Sequence, residues 1–264
     1  MKKVTLFITI VSLSLAAKAQ TVEQVEDSMI YYLGNINRWS ASADKPKNDN
    51  FDSLDSYNID LQHYIKIEMS KRSATLAADF ARAIKKGMTI ATSDDHKFRI
   101  YSWDEESGGT MHIFRAILQY QTADGHTHCR LICPKQEGIL DISDKGDGPG
   151  YFYPNIYTIH AKNKVYYLAI RKAIYSSKDC STGIQAFAIQ DGMVNDTIAV
   201  FKTKKELLNS IDCGYDWDGD FNAIKLSPDK KQLYIPLVDG EIKTRKYLVY
   251  KFDGDYFVFD KNAH

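Results

Sequence analysis

The strongest constraint on this chain is one stroke pattern used three times. Between Ile156 and Lys202, four segments (IYTIHA, VYYLAIRKA, GIQAFAIQ and DTIAVFK) are rich in aromatic and β-branched residues. Turn formers separate them, among them Lys162-Asn163-Lys164 and Asp191-Gly192. The pattern occurs before this stretch in MTIAT, KFRIYSW, TMHIFRAILQY and THCRLIC, and after it in DFNAIKL, KQLYIPLV, TRKYLVYKF and DYFVFD. Each set reads as a four-stranded antiparallel meander. VYYLAI, AFAI, TIAVF and YFVF are apolar at consecutive positions, which predicts burial on both faces and sheets stacked on one another. The expected fold is mainly β with an N-terminal helical segment, its three meanders set in an open arc. A large antiparallel barrel or sandwich is the rival arrangement.

Ahead of the strands the period is helical. Thr21-x-x-Gln24 fits a capping box, with Val22, Val25, Met29, Leu33 and Ile36 following at helical spacing. A second stripe runs through Phe51, Leu54, Leu61, Ile65 and Met69, broken only by Asn58. A third helix is expected from Ser73 as N-cap, through Leu76, Phe80 and Ile84, to the C-cap Gly87. Thr203-x-x-Glu206 with Leu207, Leu208 and Ile211 predicts one more short helix between the second and third meanders.

Residues 1–19 read as a signal peptide: Lys2 and Lys3, a short apolar core, then Ala17-Lys18-Ala19 before Gln20. That organisation gives a signal at 1–19, a helical segment at 20–87 and a meander domain of three repeats at 88–264. The apolar core is too short for a membrane span, and the mature protein is expected to be periplasmic or secreted. From 34 basic against 34 acidic residues, loss of Lys2, Lys3 and Lys18 leaves 31 against 34. Nothing in that balance suggests a nucleic-acid partner. Four cysteines in an oxidising compartment allow two bridges, and Cys180 with Cys213, both in expected loops, is the favoured pair. Cys129 and Cys133 share a strand face about 13 Å apart, too far to bond.

SPDKKQLYIP and DDHKFRIYSWD resemble the turn and second strand of WD40-type blades, and the three units resemble β-propeller blades over about Met88 to Asp260. Three blades do not close a ring of the usual size, so the resemblance implies an open arc. Pro236 inside an expected central strand requires a bulge. IYSWDEESGGTMH resembles exported bacterial proteins of unassigned function, which implies no activity.

A meander also fixes polarity. Tight first-to-second and third-to-fourth turns fall at one end. The second-to-third loops and the connections between units, at 104–109, 134–153, 176–182, 204–219 and 239–243, fall at the other, where binding residues concentrate. On that end Trp103, Asp104, Tyr215 and Trp217 are the candidate ligand-binding residues, an aromatic platform with acidic neighbours suited to a sugar ring. Asp216, Asp218 and Asp220 have the alternate spacing of calcium-loop ligands, but Phe221 stands where such a loop needs glycine. Calcium is therefore a minor reading and no cofactor is expected. His126 and His128 share a strand face beside a tight turn and read as exposed. The favoured function is an exported, non-catalytic module that recognises a protein or glycan through its long-loop end. The alternative is a hydrolase using loop carboxylates, with or without a metal. Oligomeric state is not legible.

Overall fold

The structure, a computed structural model, describes residues 20–40, 50–132, 150–216 and 224–262, without the side chains of Asn50 and Phe51. The expected signal peptide, Cys133, Trp217, Asp218 and Asp220 lie outside the described residues. The chain is mainly β, with helices near its N-terminus and sheets that are antiparallel but for one strand pair.

Helix α1 (Val22–Trp39) starts at the expected capping box, in which Thr21 and Gln24 satisfy each other's backbone N–H groups. Helix α2 (Asn50–Ser70) packs against it, and their apolar stripes meet in one core. The third helix is not continuous. Ser73–Leu76 is a 3-10 turn, Phe80 is left-handed at φ 45°, and α3 spans only Ala81–Lys85, leaving Ile84 exposed. Two partners remote in sequence explain the break. The Arg99 guanidinium donates to the carbonyls of Thr75 (2.5 Å) and Ala78 (2.7 Å) that the break releases. The Glu26 carboxylate accepts the Arg82 and Ala83 N–H groups at the new helix start.

The first sheet is the expected meander: β1 (Thr89–Thr92), β2 (Phe98–Asp104), β3 (Phe114–Gln121) and β4 (Thr127–Ile132), paired in that order. Its side chains alternate between two cores. Tyr101, Trp103 and Ile117 face the helices, whereas Phe98, Ile100, Ala116 and Leu118 face the second sheet. In the second sheet, β5 (Phe152–His160), β6 (Val165–Ile174) and β7 (Asp179–Gln190) meander as predicted. Tyr167, Ala169 and Phe187 point to the first sheet, and Tyr166, Leu168, Ile184 and Ala186 to the third. Burial on both faces is thus what the unalternating strokes encode.

The fourth stroke of the second unit is redistributed. β8 (Met193–Asn195) pairs with the end of β7, and only Phe201–Lys202 (β9) of DTIAVFK becomes strand, in the third sheet. There Val200 and Phe201 are fully buried. No helix follows. Thr203 Oγ1 accepts the Lys205 and Glu206 N–H groups and closes a turn into β10 (Leu207–Leu208). A Thr-x-x-Glu signature serves such a turn as well as a helix start. β11 (Ser210–Asp216) then takes the place beside β7. The third sheet adds β12 (Lys225–Leu226), β13 (Gln232–Asp239), β14 (Ile242–Phe252) and β15 (Phe257–Phe259), with β15 parallel to β9. The register shifts between Pro236 and Val238, the bulge that proline requires.

Four layers result: helices, first sheet, second sheet, third sheet. At one pole the turns are tight, and side chains stitch the three sheets together, the first directly to the third as well as to the second. Lys230 reaches the Asp94 carboxylate (2.5 Å), Tyr167 donates to Asp95 (2.9 Å), and Lys162 pairs with Asp255 (2.8 Å).

The cysteines depart from expectation. Cys129, Cys180 and Cys213 remain thiols. Cys180 and Cys213 lie in strands, not loops, and β7 and β11 pair with Cys180 opposite Tyr215 and Cys213 opposite Thr182. The two thiols are therefore two residues out of register, a diagonal wider than a direct pair. The Cys213 thiol donates to the Pro236 carbonyl, and burial pushes its pKa up to about 11.

A candidate binding rim

At the pole opposite the tight turns, the connections of all three sheets converge on one rim. β2 ends at Asp104 and β3 begins at Phe114, and the loop between them is tied to the second sheet by the His112 N–H on the Ile174 carbonyl (3.2 Å). The turn after Ile174 leads to Asp179, which pairs with Asp216 at the end of β11. The Asp216 N–H in turn donates to Glu241 O (2.6 Å), in the turn joining β13 to β14. A continuous line of backbone bonds and strand pairing thus carries the rim from first sheet to third. Two connections expected to be long are short: Gly240-Glu241 is a two-residue turn, and four residues separate β6 from β7. Polarity, set by strand direction, holds regardless of loop length.

The most densely bonded part of the rim is the loop from Asp104 to His112. Its foundation is Asn58, the residue that interrupts the α2 stripe. Asn58 is fully buried, accepts the Trp103 indole N–H (2.9 Å) and donates to Glu105 O (2.9 Å) and Leu54 O (3.0 Å). One side chain therefore fixes helix, strand and loop together. Glu105 is buried and holds Arg115 (2.6 Å), which extends to Gln62 (3.0 Å). Asp104 uses both oxygens: Oδ1 accepts the Glu106 N–H (3.0 Å), and Oδ2 lies 2.5 Å from His112 Nδ1. The His112 ring lies near-parallel to Phe114, which packs on Phe152. Glu106 sits at φ 57°, and burial, reinforced by the Asp104 charge, raises its carboxyl pKa.

The proposed platform residues fall out as follows. Trp103 is 1 % exposed and Tyr215 3 % exposed, so neither ring offers a face to solvent; Lys243 lies over the Tyr215 ring. Asp104 and Asp216 both reach the rim, Asp216 as an exposed side chain. Trp217, Asp218 and Asp220 are outside the described residues. Among the described residues, no three His, Cys, Asp or Glu side chains converge as a metal site. Exposed apolar side chains do gather at the rim: Met111, Tyr175, Leu237 and Ile242, the last 69 % exposed. Around them stand Asp179, Asp216, Asp239 and Glu241, with Lys178, Lys243, Arg245 and Lys246 as cations. His126 and His128 lie exposed beside the tight turn at the opposite pole.

Sequence reasoning missed His112. Asp104 pairs with Phe114 across the hairpin, which puts His112 two residues outside the strand. The intervening loop conformation, which brings the two side chains together, is not a periodic property and leaves no trace in the strand pattern.

No protein-family model, curated protein or solved structure matches the chain. No helix among the described residues is long and apolar enough to cross a membrane.

Proposed function

We propose that this protein is an exported binding module that recognises an extracytoplasmic protein through the rim. The observation that carries this reading is the exposure of Met111, Tyr175, Leu237 and Ile242, from all three sheets, on loops and strand ends tied together by backbone bonds at one pole. Exposed apolar side chains on a rigid frame with a polar surround are the usual anatomy of a protein interface. A glycan fits the described rim less well, because the Trp103 and Tyr215 rings are enclosed. The surround carries both signs, which favours a partner surface with apolar contacts and a rim of mixed charge. In the same reading the three meanders are propeller-like blades of an open arc, and residues 1–19 direct export.

Site-specific photo-cross-linking tests the binding reading. A photoreactive residue at Met111 or Ile242, in the full chain expressed with its leader, is expected to give one shared adduct, and the same probe at Met193 to give none. Equal labelling from Met193 would contradict a rim-directed interaction. N-terminal sequencing of the cell-envelope or secreted fraction tests export, with Gln20 as the expected first residue.

A further inference from the structure

We propose that His112, oriented by Asp104 and partnered by Glu106, is the general base of a hydrolytic site at the rim that acts on neutral or cationic carboxylic esters. This goes beyond the binding reading and does not depend on it.

The argument begins with the tautomer. A carboxylate accepts hydrogen bonds, so at 2.5 Å from Asp104 Oδ2 the His112 Nδ1 carries the proton and donates it. In the neutral ring that leaves a lone pair on Nε2, which has no hydrogen-bond partner among the described residues. The side chain is 44 % exposed, so a substrate has access to that atom. Three constraints fix the ring: the Asp104 bond, the near-parallel contact with Phe114, and the backbone bond from His112 to Ile174. Asp104 is held in turn, its second oxygen accepting the Glu106 N–H. This is the base-and-orienter half of a nucleophilic triad, with water in place of a side-chain nucleophile. The charged groups on the ring's side of the sheet are Asp104, Glu106 and, across the strand from Phe152, Lys172. Glu105 and Arg115 pair with each other (2.6 Å) on the helix-facing side, and Glu106 is the carboxyl we assign as proton donor, since its charge is coupled to both Asp104 and His112. Burial and the Asp104 charge raise its pKa, the direction a proton donor needs. The left-handed backbone at Glu106 is a conformation that non-glycine residues adopt only when the surroundings impose it.

The step balances as ordinary ester hydrolysis. Nε2 removes a proton from water as the water oxygen bonds to the acyl carbon. The tetrahedral adduct expels the alkoxide as its C–O bond breaks, and the Glu106 carboxyl protonates the leaving oxygen. The imidazolium proton then returns to the Glu106 carboxylate. The Asp104 carboxylate beside the ring disfavours anionic substrates.

The test uses the mature full chain with two esters of one acid, p-nitrophenyl acetate and phenyl acetate. His112→Asn and His112→Gln are expected to lower kcat/KM about a hundredfold on both esters. His128→Asn, an exposed histidine at the other pole, should leave it unchanged. Asp104→Asn should lower kcat with KM unmoved, the mark of a positioning residue. Glu106→Gln should cost more on phenyl acetate, whose leaving group is the stronger base and needs the proton. Equal losses in the His112 and His128 variants would overturn the proposal, as would wild-type cleavage no faster than that by equimolar imidazole. Lost ester cleavage with intact cross-linking at Met111 would leave the binding reading standing.

Discussion

Asn58 and Gly183 show how single positions hold this molecule together. Replacing Asn58 by Leu completes the apolar stripe of α2 but orphans the Trp103 indole N–H and the Glu105 carbonyl. Two buried groups left unpaired cost on the order of 2–4 kcal/mol, measurable by urea unfolding, so a change that looks favourable on a helical wheel should destabilise the protein. Gly183 lies between Arg171 on β6 and Asp212 on β11, and a Cβ there would meet the Asp212 carboxylate. The two charged side chains meet over that gap, the Arg171 guanidinium also donating to Gln185 (2.9 Å) and stacking on Tyr151. Gly183→Ala should cost about 1–3 kcal/mol through crowding. In that background, Asp212→Asn should cost little more, as a double-mutant cycle would show. The sequence reveals the break at Asn58 but not its partners, which lie 45 and 47 residues away.

At the scale of elements, the tight turns set the response to acid. Asp124, Asp229 and Asp253 each accept hydrogen bonds from turn groups, and these bonds lower all three carboxyl pKa values. A carboxylate whose pKa is depressed on folding stabilises the fold above its unfolded value of about 4, and that contribution disappears as pH falls through the lower folded value. Thermal unfolding midpoints should therefore be flat above about pH 5 and fall below about pH 4. The triple Asp-to-Asn variant at these positions should show a shallower fall. Elements defined by local periodicity were legible: α1 with its capping box, α2, the first meander, and the Pro236 bulge. Elements settled by remote partners were not. The Arg99 and Glu26 bonds divide the third helix, the core between second and third sheets draws in Val200 and Phe201, and β11 claims the edge of β7. In the candidate site, Asp104 was legible as a strand end on the loop-rich pole, whereas its meeting with His112 depends on loop geometry.

For the whole molecule, everything proposed about function follows from its two poles. β7 runs twelve residues from rim to tight turn, so at about 3.3 Å per residue the poles stand roughly 35–40 Å apart. The three sheets stack at roughly 10 Å spacing, so rim loops of the first and third sheets lie on the order of 20 Å apart. Spin labels at Met111 and Ile242, and at Met111 and Met193, measure both separations by pulsed electron–electron resonance. The account predicts about 20 Å for the first pair and about 35 Å for the second. Equal distances, or the reverse order, would place the loops of the first and third sheets at different poles and remove the rim.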